Sequence, residues 1–174
     1  MTRRHPARLP KTWLMTDERM GDGLWHALRR LPRGSGIVFR HYATPPAERR
    51  RLFGRVARIA RQRGLVLVRA GAVPLGGGEA GTHACRGRGL VTWPAHDRGE
   101  AVRGARAGAD LLFVSPVYAT RSHPGAAPLG LAAARRIVAG LSVRAIVLGG
   151  VTPARGRIAM RCGFWGWAAI DAWS

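Results

Sequence analysis

Eight short apolar runs alternate with helix-like segments along the chain, and this alternation limits the fold more than any other feature. The runs fall at 12–16, 37–42, 65–69, 81–85, 90–93, 110–114, 144–148 and 166–170. They are short, β-branched or leucine-rich, and apolar on both faces. That is how a parallel strand reads when helices cover it. Helix-like runs fall at 24–31, 46–63, 99–107, 129–139 and 153–161. Eight βα steps in one chain predict an α/β fold, a compact (β/α)8 TIM barrel. An open doubly wound sheet is the alternative. The link "VPLGGGEA", 73–80, is too short and glycine-rich for a good helix. No helix is evident between Cys85 and Leu90, or between the eighth strand and Ser174. Some outer helices are therefore expected to be short or missing. Residues 1–10 read as a loose basic tail and 11–174 as a single barrel domain. Without a last helix the faces of the first and eighth strands would be bare, so a homo-oligomer is expected to cover them.

A chain of 174 residues can bury a sizeable core. No apolar run reaches the length of a membrane helix, and "MTRRHPARLPK" lacks the apolar centre of a secretory signal. Cys85 and Cys162 form no CxxC pair, which predicts buried thiols and a cytoplasmic location. The net charge of +20 would suit a polyanion partner. Yet Lys11 is the only lysine, and an arginine skew can also come from a GC-rich genome. In "RRRLFGRVARIARQRG", Arg51, Arg55, Arg58 and Gln62 share one helical face and Leu52, Val56, Ile59 and Ala60 the other. That is a solvated arginine face on an amphipathic helix. No nucleic-acid motif or interleaving of aromatic with basic residues is present, so nucleic acid is not the expected partner.

In a barrel, sites form where the C-terminal ends of the strands meet. The sixth strand ends in a dense polar loop, "SPVYATRSHPG", carrying Thr120, Arg121, Ser122 and His123. Strand seven ends "LGGVTPARG". Gly149 and Gly150 would let a ligand approach the backbone, Thr152 suits a helix N-cap and Pro153 the first turn. A helix start there offers N–H groups to a phosphate; a tight turn with no ligand is the other reading. His96, after strand five, is the candidate acid–base group, or else a cap for the next helix beside Asp97 and Glu100. His5, His26, His41 and His83 show no partner pattern, and no spacing suggests zinc.

"GADLLFVSPVYATRSHPGAAPLGL" resembles the sixth strand and loop of thiamine phosphate synthases, G-A-D-Y-(I/V)-x-x-G-P-(V/I)-(F/Y)-x-T-x-(T/S)-K. "AIVLGGVTP" resembles their seventh strand, "FRHY" stands at their Q-L-R-x-K and "PAH" at their S-x-H. The chain is also similar to the sister group, the TenI-type thiazole tautomerases. The resemblance implies a magnesium-dependent joining of a pyrimidine diphosphate to a thiazole phosphate with release of pyrophosphate. It implies that Arg40 contacts the diphosphate, that Thr120 and Ser122 are the loop hydroxyls, and that Gly149 and Gly150 hold the thiazole phosphate. His123 stands where the family has lysine, Arg69 and Ala70 where it has Asn-Asp, and Asp171 where it has serine. The second metal aspartate has no counterpart in "CRGRG". Arg40, Arg69 and Arg121 are the cations available to replace that charge. The tautomerase alternative needs no metal and would use His96 to move a proton. A barrel that binds a phosphorylated ligand without catalysis is the third expectation.

Overall fold

The computed structural model describes residues 9–120 and 127–173. Eight parallel strands close a barrel in sequence order: β1 (Thr12–Met15), β2 (Gly36–Phe39), β3 (Val66–Ala70), β4 (Gly81–His83), β5 (Leu90–Ala95), β6 (Leu111–Val114), β7 (Arg144–Val147) and β8 (Gly166–Ala169). Thr12 pairs with Trp167 and Trp13 with Ala168, so β8 closes on β1 and the open sheet is excluded. All eight expected runs are strands. Among the described residues five α-helices lie outside: α1 (Gly23–Arg30), α2 (Pro46–Arg63), α3 (Arg98–Arg106), α4 (Gly130–Val138) and α5 (Pro153–Arg161). One 3-10 turn, Glu18–Met20, was not expected.

Local chemistry sets the helix ends. Asp97 accepts from the Glu100 N–H and Thr152 from the Arg155 N–H, each satisfying a first-turn donor. Gly64 ends α2 in the left-handed region and donates to the Ala60 and Arg61 carbonyls. No helix joins β3 to β4 or β4 to β5, as expected. Leu75 instead dips into the core from the first of these links.

Side chains alternate inward and outward along each strand. Trp13, Val38, Val68, Leu90, Leu111, Phe113 and Ile146 fill the barrel. Trp13 plugs its N-terminal end, and a Cβ on Gly36, its neighbour in register, would lie 2.2 Å from the Trp13 ring. The outward residues pack under the helices. On α2 the buried face is Phe53, Val56 and Ala60, with Leu52 and Ile59 only half-buried at its flanks. The expected face is thus turned toward Phe53, whose ring meets Phe39 edge-on at 5.2 Å.

Three boundary expectations change. Pro10 is buried, and its carbonyl accepts from the Trp13 and Trp165 indoles, so the barrel begins before residue 11. The outward faces of β1 and β8 are not bare: Leu14 and Trp167 are buried, and Trp173 stacks on Trp167 at 5.2 Å. Cys85 and Cys162 are free thiols but only half-buried. Among the described residues no helix is long and apolar enough to cross a membrane.

Candidate active site

The C-terminal ends of the strands surround a largely apolar cavity of about 700 Å3. Arg40, His96, Thr120, Gly149 and Gly150 all line it. The fold thus brings together five of the residues expected at a site from four separate loops. Arg121, Ser122 and His123 lie outside the described residues.

Arg40 follows β2 on the inward parity of Val38. Its Nε donates to the Thr16 carbonyl at 2.8 Å and its Nη2 to Asp17 Oδ2 at 3.0 Å. Burial lowers the guanidinium from the ordinary arginine value, with Asp17 opposing that shift. The Asp17 carboxyl is itself held down, chiefly by the hydrogen bond from Arg19. Two of the five Arg40 N–H donors are therefore committed to Thr16 and Asp17 before a ligand arrives. Among the described residues Arg40 is the only lysine or arginine lining the cavity. Arg69 does not join it. That side chain points outward, pairs with Glu79 at 3.2 Å and donates to the Gly71 and Val73 carbonyls. Strand parity decides this, because Ala70, the next residue, takes the inward position.

His96 stands at the cavity mouth with its side chain 52% exposed. Its Nδ1 lies 2.7 Å from Glu100 Oε2, and its backbone N–H donates to the same oxygen at 2.7 Å. Asp97 performs the capping of α3. Glu100, in the first turn of α3, fixes the imidazole. With Nδ1–H donated to the carboxylate, Nε2 is the free lone pair.

Gly149 and Gly150 have positive φ values of 92° and 60°. A Cβ on Gly150 would lie 2.2 Å from the Ala119 carbonyl oxygen, and one on Gly149 would lie 2.8 Å from Pro116 Cα. The glycines are thus required by the approach of the β6 loop as well as by the turn. Val117 and Tyr118 N–H groups donate to the Leu148 and Gly149 carbonyls at 2.9 and 3.0 Å. Arg155 reaches the Gly150 carbonyl at 2.7 Å and covers the Tyr118 ring at 4.7 Å. Residues 116–119 and 148–150 thus form one continuous wall that ends at the Thr152-capped start of α5.

Three histidines without an expected partner have one: His26 Nε2 lies 3.2 Å from Arg30 Nη1 on the exposed face of α1, and the other two are buried. His41 is buried with φ 34°, its Nδ1 2.9 Å from Thr16 Oγ1 and its ring stacked on Phe39. Burial lowers its pKa. His83 lies on the cavity floor, 5% exposed, with Nδ1 2.9 Å from Thr92 Oγ1. The Thr92 hydroxyl donates to the Thr82 carbonyl at 3.3 Å, so its oxygen accepts from His83 Nδ1–H. Burial pushes the His83 pKa down to about 3, with Arg40 adding to the shift. Strand parity could have found this residue, since Gly81 and His83 share the inward face.

Magnesium requires oxygen ligands, usually with a carboxylate among them. Among the described residues Asp171 is the only carboxylate lining the cavity, and no group of three His, Cys, Asp or Glu could hold one ion. This donor set does not fit magnesium.

A family model described as "Thiamine monophosphate synthase" matches residues 16–173. The chain is 38% identical over 87 residues to a thiamine-phosphate synthase of Chloroflexus aurantiacus, covering 49% of this chain and 40% of that protein. It is 39% identical over 74 residues to a thiamine-phosphate synthase of Desulfitobacterium hafniense, covering 42% and 36%. The matched stretch thus spans less than half the length of these curated relatives. Among solved structures, a thiamine phosphate pyrophosphorylase from Pyrococcus furiosus superposes with a TM-score of 0.74 at 18% identity, covering 93% of this chain and 86% of that one. At that identity the likeness shows the fold.

Proposed function

The chain belongs to the thiamine monophosphate synthase family, and from that membership we propose that the cavity binds a phosphorylated thiazole and moves a proton on it without a metal. The observation that carries this reading is the His96–Glu100 pair at the mouth of a cavity poor in carboxylates. The phosphate would sit against Gly149, Gly150 and the first turn of α5, where N–H groups and the helix dipole favour an anion. A ring carboxylate would meet the Arg40 N–H groups that Thr16 and Asp17 do not engage. His96 Nε2 would take a proton from one ring position and return it at another. Glu100 would stabilise the imidazolium between the two steps. The proton count balances, and nothing is oxidised or reduced. This chemistry suits the cytoplasm.

The second reading is the joining of a pyrimidine diphosphate to a thiazole phosphate, favoured by the names of the relatives. It asks more of the cavity, because departing pyrophosphate carries charge that needs fixed cations or a metal. The two readings separate in one experiment. The protein is incubated in EDTA with a thiazole carboxylate phosphate and followed by NMR; in parallel it is given both synthase substrates with magnesium and assayed for pyrophosphate. We expect turnover in EDTA that falls by about 100-fold or more in His96→Ala. Pyrophosphate release that requires magnesium and survives His96→Ala would establish the second reading instead.

A further inference from the structure

Away from the cavity, α1 and α2 enclose a groove of about 410 Å3 lined by Asp22, Trp25, Arg29, Arg55, Arg58 and Ile59. None of these residues lines the barrel-top cavity. The Arg55 guanidinium carbon lies 4.0 Å from the centroid of the Trp25 ring. Arg29, Arg55 and Arg58 are exposed, and none is in an ion pair among the described residues. The basic charge is concentrated here. α2 alone carries seven arginines against Glu48. Only Arg49 and Arg63 of the seven are spent on backbone carbonyls. α1 adds Arg29 and Arg30 in its last turn.

We propose that this groove binds single-stranded nucleic acid, with Arg29, Arg55 and Arg58 donating to the phosphates and a base stacking on the Arg55 guanidinium plane, which the Trp25 ring supports from below. Guanidinium forks match phosphate oxygens, and a cationic groove with an aromatic ring is how single strands are held without sequence readout. Asp22 at the groove's edge directs the backbone toward the arginine side. A membrane surface fits less well. The exposed large apolar residues, Tyr42, Val73 and Ile158, all lie outside the groove, and Trp25 is recessed and covered by Arg55. Trp25 and Arg29 are one turn apart on α1, whereas Trp25 and Arg55 are brought together only by the fold.

The test is fluorescence anisotropy of the full chain with a labelled oligodeoxythymidine, measured from 50 to 200 mM NaCl. Arg55→Ser/Arg58→Ser is expected to weaken binding at least tenfold and to flatten the log–log salt slope by about 1.4, two single-strand phosphates' worth. Arg106→Ser/Arg136→Ser removes the same charge from α3 and α4 and should stay within twofold of the parent. Trp25→Leu keeps an apolar side chain under Arg55 and should weaken binding by about tenfold with the slope unchanged. Equal losses in the two double variants would overturn the proposal, since diffuse charge would then suffice. So would an unaffected Trp25→Leu protein, equal affinity for a duplex of the same length, or tighter binding to phosphatidylglycerol vesicles.

Discussion

His83 is held neutral in the floor of the cavity, and that has a cost that pH can expose. Its folded pKa of about 3 lies below the ordinary value of 6.5, so between those limits the unfolded chain binds the extra proton. Stability therefore rises with pH across this window and is lost as the solution is acidified from about 6.5 toward 3. The full loss from this group is on the order of 5 kcal/mol. Replacing His83 with Gln should flatten the acid limb of stability against pH, measured by urea unfolding at pH 7 and pH 4.5. An unchanged limb would mean that other groups dominate it. Residue chemistry was only partly legible in the chain. His96 beside Glu100 could be read directly, because the two are only four residues apart across the start of α3. His83 with Thr92, and Arg40 with Asp17, could not, since each pair joins different strands or loops.

At the scale of elements, the end signals were legible. Asp97, Thr152 with Pro153, and Gly64 mark helix ends by chemistry confined to a few residues. The helix-free stretch between β3 and β5 was legible for the same reason, as its glycines break any helix. How that side of the barrel stays covered was not. Leu75 buries itself among Leu67, Phe53 and their neighbours, 4% exposed, where a helix would otherwise pack. Leu75→Ala should cost about 2–4 kcal/mol, mostly as a cavity, seen as a lower urea midpoint with an unchanged slope. A loss below about 1 kcal/mol would show that the link collapses to fill the gap.

For the whole molecule, 29 lysines and arginines face nine carboxylates, so most positive charges have no partner to meet. Such a surface repels itself, and salt relieves the repulsion. Raising NaCl from 20 to 300 mM should stabilise the protein by about 1 kcal/mol, a rise in Tm of roughly 2–4 °C. A flat or falling Tm would mean that ion pairs such as Arg40–Asp17 outweigh the repulsion. The same surplus has two fates in the fold. Arg40 and Arg69 are drawn in and paired, whereas Arg55 and Arg58 of α2 remain open to solvent in one groove.

The sequence by itself determined the barrel. Strand number, burial on both faces and helix ends are local properties, written in periods of a few residues and in the residues that cap and break. It also placed Arg40, His96, Thr120, Gly149 and Gly150 at strand ends, where a barrel must gather them. Only the tertiary structure decided which side chains turn inward, so that Arg69 leaves the cavity and His83 enters it. It decided too that the Gly149–Gly150 turn is wedged against Pro116 and Ala119, and that Trp25 lies under Arg55. These depend on contacts between residues far apart in the chain, and such contacts exist only once the barrel has closed.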